Sequence, residues 1–396
     1  MAVADAAGRG RPQRRRLRRS PRASDEQVQR ARGPMDLTFL VLVLILLSVG
    51  LIMLFSASYA YSYYYEGNSF YYITRQLIFA GLGVVGMLVV SRIDYHILHR
   101  FALLIFLAAV ALLLIVLIVP SREDAKRWLN LGFTTFQPSE LAKFAVVVIF
   151  AHLISLNHDR MKNPRYGVWP FLGILGVVAG LMLLEPHLSG TILILAIGVV
   201  MMFVGGTDIR WFMLGGGLLV GVVVVAVLVP GAVPYAMSRL QYWIDPFSDP
   251  QGAGYQTIQS LYAIGSGGRL GVGIGNSRQK HLYLPEPQND FIFAVVCEEL
   301  GFVGAAIIIL LFVLLVWRGY VIAMRSADRF GSMLAVGLIT QVGVQTVLNI
   351  AVVSNTIPNT GISLPFFSYG GTALVMLLGQ MGVVLSVSRQ TSLEKE

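Results

Sequence analysis

A 396-residue chain with 56% hydrophobic and 13% charged residues, at a mean hydropathy of +0.70, is too apolar for a water-soluble globule. It reads as a polytopic membrane protein. The formal net charge is +9, the single cysteine, Cys297, excludes an internal disulfide, and the six His carry no ligand spacing, which argues against zinc.

Residues 1–34 are Arg-rich, with Arg14 to Arg19 reading RRRLRR, and hold no apolar run. We expect a disordered basic cytoplasmic tail. Its charge suits a topology signal beside anionic membrane lipids better than nucleic acid, which calls for a folded or aromatic surface. No cleavable signal peptide is expected, because the first apolar run is too long and lacks a small-residue cleavage site.

Runs long enough to cross a ~30 Å hydrocarbon core as helices follow in order. They cover Asp36 to Ser56, Ile73 to Val90, Phe101 to Val119, Pro138 to Leu156, Trp169 to Leu184, Leu188 to Val204, Trp211 to Val229, Asp290 to Trp317, Gly331 to Val353 and Pro365 to Val387. The expected fold is an all-α polytopic integral membrane protein. About ten transmembrane helices would fill 35–388, with a large extracytoplasmic loop, 232–289, between the seventh and eighth and a short cytoplasmic tail at 389–396.

An even count puts both termini on one side, and the basic tail makes that side cytoplasmic. Arg92, Arg100, Arg160, Lys162, Arg165, Arg210, Arg318, Arg325 and Arg329 fall there too. The opposite, outward side then receives Tyr59 to Tyr72, Ser121 to Gln137, Ala232 to Asn289 and Ser354 to Leu364. Cations there break the charge rule. Arg122, Lys126, Arg127, Arg239, Arg269, Arg278 and Lys280 are either solvated loop charges or a receptor for an anionic ligand.

The chemistry centres on Asp290, a carboxylate where a polar loop turns into a long apolar helix. A charge at the edge of hydrocarbon costs roughly 2.5 to 3.5 kcal/mol on insertion scales, so it faces a wet cavity or a partner. Outer-face cations beside a membrane-edge carboxylate suit a substrate with an anionic head and a lipid tail, such as a lipid-linked sugar pyrophosphate. Glu140 and Lys143, on one helix face in QPSELAK, form either a structural ion pair or part of the same cavity. Pro138 suits that helix's first turn.

Glu298 and Glu299 lie roughly 12 to 13 Å beyond Asp290 along a straight helix, too far to pair with it, and are expected to pack or hydrogen-bond between helices. The glycines of GSGGRLGVGIG, Gly265 to Gly275, lack the GK[ST] of a P-loop and any βαβ context, so no nucleotide is expected. They are read as turns in a loop over the cavity. Those of Gly81 to Gly86 and Gly215 to Gly217 are read as close helix packing. The short segment QTIQSLYAI is amphipathic, suited to lie along the interface. Irregular backbone over Ile357 to Gly371 should line a cavity or be buried, with Ser368 and Tyr369 offering hydroxyls to a ligand or to the backbone.

The ordered strings KRWLNLG, FQPSELAK, DPFSDPQGAGYQTIQSLYAIGSGG, GVGIGNSRQKHLYLPEPQNDFIFAVVCEELGFVG and PNTGISLPFFSYGG resemble the SEDS family (shape, elongation, division and sporulation), nearest its FtsW and SpoVE branch. The resemblance covers nearly the whole chain apart from the basic tail. It implies a ten-helix membrane glycosyltransferase that polymerises lipid II into peptidoglycan outside the bacterial cytoplasmic membrane, with a class B penicillin-binding protein as partner. It also implies that Asp290 is the essential aspartate and that Arg127, Trp128, Glu140 and Lys143 line its cavity. Arg127, Lys143, Arg239 or Lys280, with Mg²⁺ or Mn²⁺, would then offset the leaving pyrophosphate's charge, and Ser368 joins the expected substrate contacts. Asn289 stands where relatives often carry Thr, and the final turn, NTGIS with FFSYGGT, departs from the family's more usual VTG with FLSYGGS. A lipid II flippase and a non-catalytic scaffold for the penicillin-binding protein are the competing readings.

Overall fold

Lipid offers a backbone no hydrogen bonds, so each apolar run satisfies its own peptide groups by becoming a helix. The computed structural model describes residues 33–119, 127–130, 132, 135–228, 241–252 and 254–390. Residues 1–32 of the tail expected over 1–34, and the final residues 391–396, lie outside them.

Helix α1 spans Leu37–Glu66, α2 Tyr71–Val90, α3 His96–Ile118, α4 Pro138–Asn157, α5 Trp169–Leu184, α6 Leu188–Val204 and α7 Ile209–Leu228. The chain continues with α8 at Tyr255–Gly267, α9 at Ile292–Met324, α10 at Arg329–Val353 and α11 at Gly371–Arg389. Every apolar run picked out in the sequence thus holds a helix. Among the described residues, 8 helices are long and apolar enough to cross a membrane, and Leu188–Val204 is a shorter apolar one. The only sheet among them is a two-stranded hairpin, β1 (Leu129–Asn130) with β2 (Thr135–Phe136).

The ends are fixed by local chemistry. Asp36 caps α1 by accepting from Phe39 N at 2.9 Å and also pairs with Arg318 of α9 at 2.8 Å. Pro138 opens α4, where its missing N–H costs nothing. α10 and α4 form the interior, packed on each other and on α6. α10 carries the buried polar side chains Thr340, Gln341, Gln345, Thr346 and Asn349, which face protein rather than lipid.

The structure corrects several expectations. Tyr59 to Glu66 is not loop but the last turns of α1, closed by Gly67 at φ +69°. The segment 241–289 is no free loop either: α8 buries Thr257, Ile258, Ser260, Ala263 and Gly267 against α9 and α10, so its apolar face meets protein rather than the interface. Of the glycines read as close-packed, Gly83 meets Leu378 of α11, but Gly81, Gly86 and Gly215 to Gly217 would carry a Cβ into open space.

The glycine-rich stretch does not cover the cavity. It packs on a break in α9 at Gly301, whose φ of +66° and ψ of −170° end one helical stretch and start another. There Gly271 and Gly301 meet backbone to backbone, with Val272 N donating to Glu298 O and Phe302 N to Gly268 O. A side chain at either glycine would enter the facing backbone, which is the reason for glycine here.

Candidate active site

Asp290 sits in the turn just before α9. Three contacts hold that turn onto the irregular segment 354–370. The Asn349 side-chain amide, fully buried on α10, donates to Asp290 O at 2.8 Å and to Ile362 O at 2.6 Å. Ser368 Oγ donates to Asn289 O at 2.7 Å and accepts from Leu364 N at 2.7 Å. Tyr369 N donates to Gln288 O at 2.9 Å.

The backbone is therefore pinned while the carboxylate stays open. It takes no hydrogen bond from any described side chain or backbone group. Gly361, at φ +70°, lies against it: a Cβ there would stand 3.1 Å from Asp290 Oδ2. Burial in the wall, reinforced by the Glu286 charge and opposed by Arg127, pushes the Asp290 carboxyl up to about 6.

The carboxylate faces a cavity of about 880 Å³. Its cations are Arg75, Arg127 and Lys143, its acids Glu140, Glu286 and Asp290, and Trp128 and Tyr369 supply aromatic wall. Lys143 and Glu140 form an ion pair of 2.7 Å, with Lys143 almost fully buried. Arg127 donates to the backbone carbonyls of Glu185, at 3.3 Å, and Pro186, so the turn between α5 and α6 holds its guanidinium in place. In that turn burial, against the pull of Arg127, lifts the Glu185 carboxyl to about 7, and burial drives the His187 imidazole down to about 3. Both therefore tend toward neutrality, leaving the Arg127 charge available to a ligand.

Helix direction adds to the positive field. The cavity is lined from the first turns of α2 (Arg75), α4 (Glu140), α6 (Ser189, Gly190) and α11 (Gly371, Thr372), and by Asp290 just ahead of α9. Each of these ends presents unpaired N–H groups and the positive pole of its dipole. An anion bridged between Arg75, Arg127 and Lys143 would sit among them.

Of the side chains picked from sequence, Asp290, Arg127, Trp128, Glu140 and Lys143 thus meet in one cavity. Lys280 does not. It is fully buried away from the cavity, paired with Glu299 at 2.8 Å and donating to Ser56 Oγ at 3.1 Å. Beside it Glu298 accepts from Arg278 N at 2.9 Å and from Ser277 Oγ. Glu298 and Glu299 therefore brace the loop against α1 and α9, as their distance from Asp290 implied. Ser368 latches backbone through its hydroxyl and lines the smaller pocket that adjoins this cavity rather than the cavity itself. Arg239 lies outside the described residues. Sequence reasoning missed Arg75, a cation in the first turn of an apolar span, and the Glu185–His187 turn, ionisable groups between two apolar runs; misplaced charge was the signal in both.

Comparison with known proteins gives a consistent set. The FtsW/RodA/SpoVE family model, described as a cell cycle protein, matches residues 36–393. Stage V sporulation protein E of Bacillus subtilis is 42% identical over 325 residues, covering 81% of this chain and 88% of that protein. A probable peptidoglycan glycosyltransferase FtsW of a Geobacter species is 38% identical over 330 residues, covering 81% of this chain and 88% of that one. Among solved structures, a chain from work on structural coordination of polymerization and crosslinking by a peptidoglycan synthase complex superposes with a TM-score of 0.75 at 28% identity, covering 91% of this chain and 99% of that chain. The rod shape determining protein RodA of Thermus thermophilus gives 0.66 at 26% identity, covering 91% and 98%.

Proposed function

The chain belongs to the FtsW/RodA/SpoVE family, and on that premise we propose that it is a multi-pass membrane peptidoglycan glycosyltransferase that polymerises lipid II. The observation that carries the mechanism is the open Asp290 carboxylate in a cavity with Arg75, Arg127 and Lys143. Asp290 accepts the proton of the acceptor sugar's 4-hydroxyl as that oxygen bonds to the donor's anomeric carbon. The bond from that carbon to pyrophosphate oxygen breaks in the same displacement, inverting the centre. The electron pair leaves with undecaprenyl pyrophosphate.

A base near its working pH contributes typically ~10² to 10⁴-fold, and charge stabilisation at the leaving group adds to it. Arg127, fixed by two carbonyls, and Lys143, oriented by Glu140, offer preorganised positive charge to the pyrophosphate. Arg75, on α2, lines the same cavity.

We also read the cavity end as the outer face, since Arg92, Arg100, Arg160 and Arg325 sit at the opposite helix ends and follow the charge rule for the cytoplasm. A class B penicillin-binding protein is the proposed partner. Mg²⁺ or Mn²⁺ would be carried on the substrate phosphates with Glu286 as its cavity carboxylate, since such ions rarely use an all-protein cage, and Asp290 stays free as the base. Its chemistry would be to neutralise pyrophosphate charge.

Purified protein, reconstituted with lipid II, a divalent cation and a class B partner, tests the reading. Glycan chains on a gel that persist when the partner carries no transpeptidase activity support it. Transbilayer movement of lipid II without polymer would replace the transferase by a flippase, and neither activity would leave a scaffold.

A further inference from the structure

We propose that the tyrosines at the end of α1 and the start of α2 form a saccharide-binding shelf, which receives the glycan strand as it leaves the cavity. The inference rests on the transferase reading for the identity of its ligand. It begins at Tyr369, which lines the cavity beside Asp290. Tyr72 packs on Tyr369 with ring centroids 4.8 Å apart, Tyr61 on Tyr72 at 6.1 Å, Tyr65 on Tyr61 at 4.4 Å and Tyr64 on Tyr65 at 5.0 Å. The row ends at the surface of the bundle: Tyr63, Tyr64 and Tyr65 are 66%, 68% and 60% exposed. A continuous run of aromatic rings thus connects the catalytic cavity to the outside.

Helix length explains why these rings stand clear of lipid. α1 has 30 residues, about 45 Å at 1.5 Å each, whereas the hydrocarbon core is ~30 Å. Its apolar stretch, Leu37 to Phe55, spans about 28 Å, so the surplus projects at the tyrosine end. An interfacial aromatic belt would occupy many helices at both faces. Trp169, Trp211 and Trp317 at the opposite helix ends fit such a belt, whereas the tyrosine rings touch one another in a row that leads into one cavity.

The occupant follows from chemistry. A glycan has polar edges and apolar pyranose faces lined with C–H bonds, and a tyrosine offers an electron-rich face with a hydroxyl at its rim. A row of such rings holds successive sugars without reading their sequence, as stacking platforms hold successive bases. Its use to a polymerase is retention of the product between additions.

The test uses the full-length protein in nanodiscs and a short, lipid-free peptidoglycan glycan fragment as probe. Wild type should bind the fragment saturably, and Tyr64→Ala/Tyr65→Ala at least about fivefold more weakly, a loss in keeping with two aromatic contacts. Tyr64→Phe/Tyr65→Phe, which keeps the faces, should retain most of the affinity. In polymerisation the Ala variant should consume lipid II at the wild-type rate while releasing shorter chains. Equal affinity in wild type and Ala variant, no binding by wild type, or an effect seen only when a penicillin-binding protein is present would each overturn the shelf. Failure of the transferase reading has a different signature, absence of any polymer from wild type, and leaves the fragment-binding comparison interpretable.

Discussion

Asp290 pays for its position with an unfavourable charge: no described residue gives a hydrogen bond to a carboxylate whose pKa is raised to about 6. The sign of its effects follows. If the Asp290 carboxylate is the proposed base, kcat/KM should fall about tenfold per unit as pH drops below about 6, and flatten above it. A pH–rate profile of wild type checks this; an acid limb near the ordinary aspartate value, ~4, would remove the buried-wall account.

Stability runs the other way. A folded-state pKa above the unfolded one means that the fold favours the neutral acid, so stability is lost as pH rises from ~4 to about 6 and the penalty persists above. Asp290→Asn should therefore stabilise the fold at neutral pH by ~1 kcal/mol, after allowance for the water in the cavity, and raise its thermal midpoint accordingly. At this scale the sequence told much, because a carboxylate or cation beside an apolar run is conspicuous: Asp290, Arg127 and the Glu140–Lys143 pair were all found that way. It misled for Lys280, whose partner Glu299 lies across a loop on the broken helix, and charge alone does not say which cation is already neutralised.

The elements hold the site through buried polar contacts between segments far apart in the chain. Lys280, Glu299 and Ser56 join the loop, α9 and α1. Removing one member of a buried pair leaves an uncompensated charge and typically costs ~3 to 5 kcal/mol, whereas replacing both is far milder. Lys280→Met alone should lower the thermal midpoint sharply, and Lys280→Met/Glu299→Gln should recover most of it; a double variant as unstable as the single would contradict the pairing.

Asn349 is the other brace. Asn349→Leu strips donors from two buried carbonyls, at ~1 to 3 kcal/mol each, and frees the Asp290 turn. Polymerisation should fall tenfold or more with a lower thermal midpoint, whereas unchanged turnover would show that the turn holds without it. Helices were readable from apolar run length alone. The break at Gly301 and the docking of the glycine-rich stretch upon it were not, since both depend on which backbones approach each other.

On the scale of the molecule, an alternating bundle collects helix starts at one end, and there the N-termini of α2, α4, α6 and α11, the turn before α9 and the cations Arg75, Arg127 and Lys143 surround one carboxylate. The opposite end carries Arg92, Arg100 and Arg160. The bundle therefore separates an anion-receiving end from one suited to the cytoplasmic surface. Sequence alone showed which connections share one end of the bundle; convergence of their ends on one cavity needed the packing of α4 and α10.

The measurement that bears most directly on this account compares wild type with Asp290→Asn, at matched thermal stability, in polymerisation of lipid II with the class B partner and a divalent cation. The account predicts glycan chains from wild type and a loss of ~10² to 10⁴-fold in the variant with its midpoint intact or raised. A well-folded Asp290→Asn protein that polymerises at the wild-type rate would contradict it.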